Sequence, residues 1–362
     1  MNTEYDTSQL EPFGYNQYTE AARKKIGAAP SALARISAEH RGVYEIVQPR
    51  GSCRAAISGK LMADATRRED YPAVGDWVVV GDAEQGVVVI EEILERQTVL
   101  RKKYNGKDES QLIAANVDAA CIVAAMDRDY NINRFERYIV LVREAGVRPV
   151  IILNKSDLLT TAELNQRIEE IKARFDDVQV LLSSTVTAHG MDELEQFLLP
   201  RITYCFLGSS GVGKSSIINI LLHQNSIETK EIGQKTGRGV HTTTARHMYF
   251  THAGAIIIDN PGSREVGMVD VERGAKETFS DIEVIAQSCK FRDCGHVDVL
   301  DCAVLSAVHA GEIDGKRYEN YLRLKKEAAY FSMTKHDKRQ KDRAFGKTVK
   351  QAKLDAKQKR RL

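Results

Sequence analysis

With 362 residues, the chain is too long for one hydrophobic core and long enough for two or three domains. Its 43% hydrophobic and 28% charged residues are typical of soluble globular proteins, and no apolar run approaches the length of a membrane span. The net charge is +2. The N-terminus is polar and acidic, and the six cysteines show no disulfide framework, so we expect a cytoplasmic protein without a membrane partner.

The first predicted domain is a small β-barrel. Residues 1–37 form an N-terminal extension of undefined role, with a short helix predicted at 18–26. Between residues 38 and 104, about five short strand-like segments alternate with Gly- and Pro-containing turns, which favours an OB-fold or an SH3-like barrel. OB-folds frequently bind RNA. Trp77, in an apolar strand, is either a core residue or a base-stacking platform.

Residues 105–268 alternate strands with helices, which predicts a doubly wound α/β domain. A predicted strand at 150–153 runs into Asn154-Lys155-Ser156-Asp157, which has the N-K-x-D form that recognises guanine. Asp157 would accept hydrogen bonds from the ring N–H and the exocyclic amine, and an adenine that left it unpaired would cost about 1–3 kcal/mol. Ser183 and Ser184 follow the next strand and are expected to close over the base.

A phosphate-binding loop lies between a predicted strand at 202–207 and a predicted helix that opens at Ser216. Its residues fit G-x-x-x-x-G-K-[ST] at every fixed position: Gly208, Ser209, Ser210, Gly211, Val212, Gly213, Lys214 and Ser215. The backbone N–H groups would contact the phosphates at the helix N-terminus. Lys214 would reach the β- and γ-phosphates, and the Ser215 hydroxyl would hold Mg²⁺.

Two switch segments are predicted after the phosphate loop. In the hydroxyl-rich stretch 237–244, Thr243 is expected to complete the Mg²⁺ shell, unless the stretch is simply the start of a Thr-rich strand. Asp259 begins a D-x-x-G motif and would position Mg²⁺, and the Gly262 amide would sense the γ-phosphate. Ser263 stands where many GTPases carry a water-orienting glutamine. His241 is therefore the candidate for that role, the alternative being a surface histidine at a hinge.

Residues 269–330 are predicted to form a helical zinc-binding domain, with a helix at 313–330. Cys289, Cys294, His296 and Cys302 offer three thiolates and one imidazole, which would make a closed, structural zinc shell of one ion per chain. The spacing is not the common two-residue knuckle, so buried cysteines beside a surface histidine are the alternative.

The C-terminal tail, residues 331–362, is strongly basic. Residues 323–362 contain 15 Lys or Arg and four Asp or Glu, which gives this segment a charge of +11 and the preceding chain −9. Such a tail commonly binds nucleic acid, although it can also be a solubilising, partly helical extension.

The order of the motifs is rotated, because the guanine motif precedes the phosphate loop and the switches. Together with the stretches 71–78, 115–118 and 239–244 and the cysteine cluster, this order resembles the ribosome small subunit-dependent GTPase A family (RsgA, YjeQ or YloQ) over residues 38–325. Asn260 departs from the Thr or Ser that is usual there. The resemblance implies an OB-fold, a circularly permuted GTPase domain and a zinc domain.

The resemblance also implies a function: a GTP hydrolase, a monomer, that binds the small ribosomal subunit and its rRNA in late maturation and is stimulated by that subunit. Lys214, His241 and Thr243 would be its catalytic residues, with Mg²⁺ bound alongside GTP or GDP. Two alternatives are a ribosome- or RNA-binding protein whose nucleotide site has negligible turnover, and an ATP-dependent enzyme of another phosphate-loop class.

Overall fold

The computed structural model describes residues 6–40, 42–84, 86–103, 110–127, 130–223, 227, 246–260 and 271–333, together with 337, 340 and 343. The strands within these residues are β1 Leu33–His40, β2 Val43–Gln48, β3 Gly51–Ile57, β4 Trp77–Glu84, β5 Val87–Ile93, β6 Val99–Lys103, β7 Ser110–Ala115, β8 Ala119–Ala125, β9 Arg148–Asn154, β10 Gln179–Leu182, β11 Thr203–Leu207, β12 His247–Phe250 and β13 Ile256–Asp259. The α-helices are α1 Gln17–Ile26, α2 Gly59–Asp64, α3 Ile132–Glu144, α4 Thr161–Arg174, α5 Met191–Phe197, α6 Lys214–Leu221, α7 Glu272–Thr278, α8 Ser280–Ala286, α9 Ala303–Ala310 and α10 Gly315–Ser332.

Strands β1 to β5 close into a barrel. They follow the order β1-β2-β3-β5-β4, and β4 pairs back with β1, while β3 and β5 run parallel. This connectivity is that of an OB-fold, so of the two barrels that the sequence left open, the SH3-like one is excluded. The barrel encloses its own core of alternating strand residues: Ala34, Ile36, Tyr44, Ile46, Ala55, Val78 and Ile90.

The N-terminal segment packs against the outside of this barrel. Leu10 and Ala22 join Trp77 in one buried cluster, and the Tyr15 ring meets the Trp77 ring edge-on at 5.4 Å. Trp77 is only 2% exposed, so it is a core residue and not a base-stacking platform. The chain before residue 38 also supplies β1, which begins at Leu33.

A second group of strands forms the sheet of the predicted GTPase domain, here called the GTPase sheet. Strands β10, β9, β8, β11 and β13 are parallel neighbours in that order, and β12 adds an antiparallel edge. Helix α3 packs on one face through Phe135 and Ile139, and α6 packs on the other through Ile217. Each such apolar side chain contributes about 1.5–3 kcal/mol when fully buried. All the parallel strands therefore end at one edge of a sheet that is covered on both faces.

The barrel and the GTPase sheet are continuous, because β12 pairs with β1. A buried arginine strengthens this junction. Arg35, on β1, donates to the carbonyls of Gly75 (3.2 Å) and Asn116 (3.0 Å) and to the Thr203 hydroxyl of β11 (3.0 Å). These contacts satisfy a guanidinium that is 1% exposed, and burial lowers its pKa to about 10.

The C-terminal helices pack on α3. Gly274 of α7 allows close approach, since a Cβ there would lie 2.0 Å from the Val140 carbonyl oxygen, and its N–H donates to Glu144 at 2.7 Å. Val140 shares a buried cluster with Phe279 and Tyr321 of this helical unit. Across the described part of the chain, no helix combines the length and the hydropathy needed to cross a membrane.

Candidate functional site

The phosphate loop connects β11 to α6 at the carboxyl edge of the sheet. Gly208 has φ +146°, and a Cβ there would lie 2.3 Å from the Val123 carbonyl oxygen. Gly213 has φ +99°, and a Cβ there would lie 2.1 Å from the Asn154 side-chain nitrogen. Only glycine fits both backbone positions, so the fixed glycines of the motif hold the loop against β8 and β9. Ser215 and Ser216 occupy the first turn of α6, where backbone N–H groups face an anion.

Lys214 lies beneath this loop, 5% exposed, and its ammonium donates to the carbonyls of Gly208 (2.8 Å) and Ser209 (2.9 Å). Burial lowers the pKa of Lys214 to about 8, against the opposing effect of Asp259. The positive charge of this desolvated ammonium, beside a loop of N–H groups, is not balanced by the loop itself. A phosphate would supply the missing negative charge.

Asp259 ends β13 directly beside the phosphate loop, since it pairs in register with Phe206 of β11. Its Oδ1 atom is buried without a hydrogen-bond partner among the described residues, and burial raises the pKa of this carboxyl. A buried, unpartnered carboxylate oxygen is costly unless a cation or a donor completes it. Oxygen ligands of this kind, together with the Ser215 hydroxyl, suit Mg²⁺.

The guanine motif is tied to the phosphate loop by one amide. The Asn154 side chain donates to the Val212 carbonyl at 2.8 Å and accepts from the Ser183 hydroxyl at 3.2 Å. Because Asn154 and Ser183 are fully buried, the amide fixes the spacing between the phosphate and base ends of the site. The Ser156 N–H also donates to the Ser183 carbonyl at 3.1 Å, which joins the two loops again.

Two charged side chains of the motif are oriented by neighbours. Lys155 has φ +61° and pairs with Asp127 at 2.8 Å, and the Ser184 hydroxyl donates to Asp157. The Ser184 hydroxyl in turn accepts from the Val186 N–H at 3.2 Å, which ties this loop to the Asp157 carboxylate. The structure thus brings the predicted base-binding residues of both loops together.

Some predicted site residues cannot be placed. His241, Thr243 and Gly262 lie outside the described residues, so their proposed roles stay predictions. The other residues predicted to bind the nucleotide all lie at the carboxyl edge of the parallel sheet, where ligands bind in open α/β folds.

Three neighbours of the site are not predicted by the sequence. Asp127 follows β8, His189 Nδ1 lies 3.2 Å from the Ser156 hydroxyl, and Arg134 of α3 donates to the Ser209 hydroxyl at 3.2 Å. The position of Asp127 could have indicated a site residue, because it comes just after a strand whose neighbours lead into the guanine motif and the phosphate loop. Neither His189 nor Arg134 belongs to a pattern of fixed spacing.

The second candidate site is the cysteine cluster between α8 and α9. The ligand atoms of Cys289, Cys294, His296 and Cys302 lie within 4.8 Å of one another. His296 Nδ1 is 3.6 Å from the sulfurs of both Cys289 and Cys302, which identifies the ring nitrogen that faces the thiols. Although burial opposes it, backbone N–H groups of Val304 and Ala303 lower the pKa of the Cys289 thiol. The group can hold a metal ion with a closed set of four ligands.

The connectivity, the phosphate loop and the guanine motif define a circularly permuted GTPase fused to an OB-type barrel and a helical Cys₃His unit. A family model described as RsgA GTPase matches residues 93–269, and one described as 50S ribosome-binding GTPase matches residues 203–342. The chain is 38% identical over 324 residues to Small ribosomal subunit biogenesis GTPase RsgA 1 of Bacteroides thetaiotaomicron, which covers 88% of this chain and 89% of that protein. The chain belongs to the RsgA family of GTPases.

Solved structures agree with this fold. YjeQ from Thermotoga maritima superposes with a TM-score of 0.59 at 26% identity, covering 81% of this chain and 96% of that one. The circularly permuted GTPase YloQ superposes with a TM-score of 0.56 at 23% identity, covering 83% and 96%. The likeness to YloQ supports the permuted order of the sheet and, at this identity, the fold alone.

Proposed function

We propose that this GTPase binds the small ribosomal subunit, acts in its late maturation and is stimulated by it. The observation that carries the proposal is the similarity along most of the chain to proteins named for small ribosomal subunit biogenesis. The molecule is a monomer that works in the cytoplasm, and its partners are the subunit, its rRNA and GTP or GDP.

Two metal ions support this activity. Zinc, one ion per chain, is held by Cys289, Cys294, His296 and Cys302 and stabilises the C-terminal helices. Mg²⁺ enters with the nucleotide and is held by Ser215 and Asp259, which fits the unpartnered Asp259 oxygen. Thr243, which lies outside the described residues, would complete the Mg²⁺ shell when GTP is bound. A zinc ion without an open position does no chemistry, so hydrolysis depends on the GTPase domain.

The proposed division into domains assigns RNA contact to both ends of the chain. Residues 38–104 carry the barrel apart from the start of β1 at Leu33, residues 105–268 are the GTPase domain and residues 269–330 the zinc domain. The extension 1–37 precedes them, and the basic tail 331–362 follows. OB-type barrels and lysine-rich tails both bind nucleic acid backbones. Residues 261–270, which include the Gly262 switch, lie outside the described part of the chain, and helix α7 begins two residues after them. In the sequence, the switch therefore leads directly into the zinc domain. Nucleotide state can therefore reorient a ribosome-binding surface.

Measuring GTP turnover with isolated small subunits tests the proposal. Small subunits should raise the rate well above that of the protein alone, and large subunits should not. The large subunit is the informative control, because residues 203–342 also match a model described as 50S ribosome-binding GTPase. Stimulation by large subunits alone would overturn the proposal. A Lys214→Met variant reports any GTPase contamination of the subunits.

A further inference from the structure

Three adjacent strands bring His40, Glu45 and His247 together above one small residue. Ala38 of β1 pairs with Glu45 of β2 on one side and with His247 of β12 on the other. Directly opposed residues in antiparallel strands project from the same face, and His40, two residues beyond Ala38, shares that face. Because Ala38 ends at a methyl group, the three larger side chains meet over it.

The distances between these side chains are close to those of a metal site. His40 Nε2 lies 3.6 Å from Glu45 Oε1, the two imidazole rings are 5.0 Å apart, and the ligand atoms all lie within 4.8 Å of one another. A tetrahedral zinc ion with bonds of about 2.0–2.1 Å separates its ligands by roughly 3.3–3.5 Å. To reach these shorter separations, the side chains would have to rotate slightly toward one another. The side chains of His40 and Glu45 are 42% and 47% exposed, so core packing does not oppose such rotations.

The donor set selects the kind of ion. Two imidazoles and one carboxylate suit zinc and its neighbours in the transition series, whereas Mg²⁺ and Ca²⁺ prefer oxygen ligands alone. Three protein ligands also leave one position for water. We propose that His40, Glu45 and His247 bind a divalent transition-metal ion of the zinc class, separate from the cysteine cluster.

The place of this site in the fold gives the ion a consequence. His40 and Glu45 belong to the barrel, whereas His247 begins β12 of the GTPase sheet. A metal ion there would crosslink the two units at the strand pair that joins them. It would also hold the start of β12, the strand that follows the segment containing His241 and Thr243.

Metal stoichiometry of the full-length protein tests the proposal. After dialysis against micromolar zinc, the wild type should carry two ions per chain and His247→Ala one. Glu45→Gln should lower the affinity for the second ion about 10- to 100-fold, because loss of a direct ligand costs at least as much affinity as loss of an outer-shell partner. His252→Ala is the matched control and should keep both ions. Like His247, His252 lies beside a second histidine, and the centroids of the two rings are 5.5 Å apart.

Cobalt distinguishes the two sites spectroscopically. Cobalt in the cysteine cluster gives thiolate charge-transfer bands, which should be unchanged in His247→Ala, whereas the second ion should give only weak ligand-field bands that this variant lacks. Once the cysteine cluster is loaded, further zinc should raise the Tm of the wild type and of His252→Ala but not that of His247→Ala, and all three should bind GDP equally well. One ion per chain in the wild type, or two in His247→Ala, would overturn the proposal.

Discussion

Arg317 of α10 donates to Glu136 of α3 at 2.9 Å, and this carboxylate is completely buried between the GTPase domain and the C-terminal helices. Arg317 also binds Asp281 of α8 through two hydrogen bonds of 2.9 Å, and Arg174 approaches Glu136 at 3.5 Å. The ion network therefore joins the helix next to the phosphate loop to the unit that carries the cysteine cluster. A buried pair of this kind fixes one docking geometry more than it adds stability.

Removal of Glu136 should uncouple these units. Glu136→Ala removes the buried carboxylate that Arg317 and Arg174 share and leaves them only the half-exposed carboxylates of Asp281 and Asp314. We therefore expect the C-terminal helices to lose stability, by about 3 kcal/mol. Urea denaturation followed by hydrogen exchange in α10 measures the loss. Glu327→Ala is the control, because its pair with Arg137 is about one quarter exposed and should contribute about 1 kcal/mol or less. Equal losses in both variants would contradict the role of the buried network.

Asp157→Asn should change the preferred base. The substitution turns an acceptor into a donor, so GTP should bind about 10- to 100-fold more weakly, while xanthosine triphosphate, with an oxygen at C2, should bind better. Competition against labelled GDP measures both effects. Asp176→Asn changes an exposed carboxylate two residues beyond the C-terminal end of α4 and should leave both affinities unchanged. An unaltered GTP affinity in Asp157→Asn would remove this residue from the guanine site.

The Lys214 pKa predicts a pH dependence of nucleotide binding. In the free protein the folded pKa is about 8, below the ordinary Lys value of 10.5. The phosphates need the charged ammonium, so binding should take up a proton above pH 8 and GDP affinity should fall by up to about tenfold per pH unit. Between the folded and unfolded values the unfolded state binds more protons, so the nucleotide-free protein should become more stable as pH rises through this window.

Calorimetry from about pH 7 to 9 checks this. Two buffers of different ionisation enthalpy report the proton uptake directly. Lys214→Met should bind GDP weakly and lose the pH dependence, which separates the effect from other titrating groups. An affinity that is flat above pH 8 in the wild type would contradict it.

The sequence predicts those features that depend on local spacing. The phosphate loop, the guanine motif and the cysteine cluster have fixed separations, and the strands around them have clear apolar runs. It does not predict β1, β12 or the partner of Glu136. These depend on register between distant segments, such as Ala38 with His247, and no local pattern encodes that pairing.

Loss of one cysteine ligand should release the metal. Cys294→Ser leaves three ligands, so we expect the ion to dissociate and the helices around the cluster to unfold, while GDP binding largely survives. Metal analysis and circular dichroism measure the two effects. Cys53→Ser is the matched control, because that thiol lies in the barrel, far from the cluster, and should keep the metal. A native protein without bound metal would contradict the assignment of the cluster.

The water that attacks GTP needs a group that orients it. Ser263 is too short to do what a glutamine does at this position, so intrinsic turnover should be slow, on the order of 10⁻⁴ to 10⁻² per second. His241 lies two residues before Thr243, and its imidazole can accept a hydrogen bond from water. His241→Ala should therefore bind GTP and small subunits normally yet lose most of the stimulated rate.

His309→Ala serves as the control and should retain full stimulation, because His309 lies on α9, the helix that follows the cysteine cluster. Single-turnover measurements with saturating subunits separate the chemical step from binding. If His241→Ala keeps the full stimulated rate, the water must be oriented by another group, and a residue or nucleotide of the ribosome becomes the candidate. Loss of rate together with loss of subunit binding would instead assign His241 to the interface, because a catalytic histidine can be removed without weakening the complex.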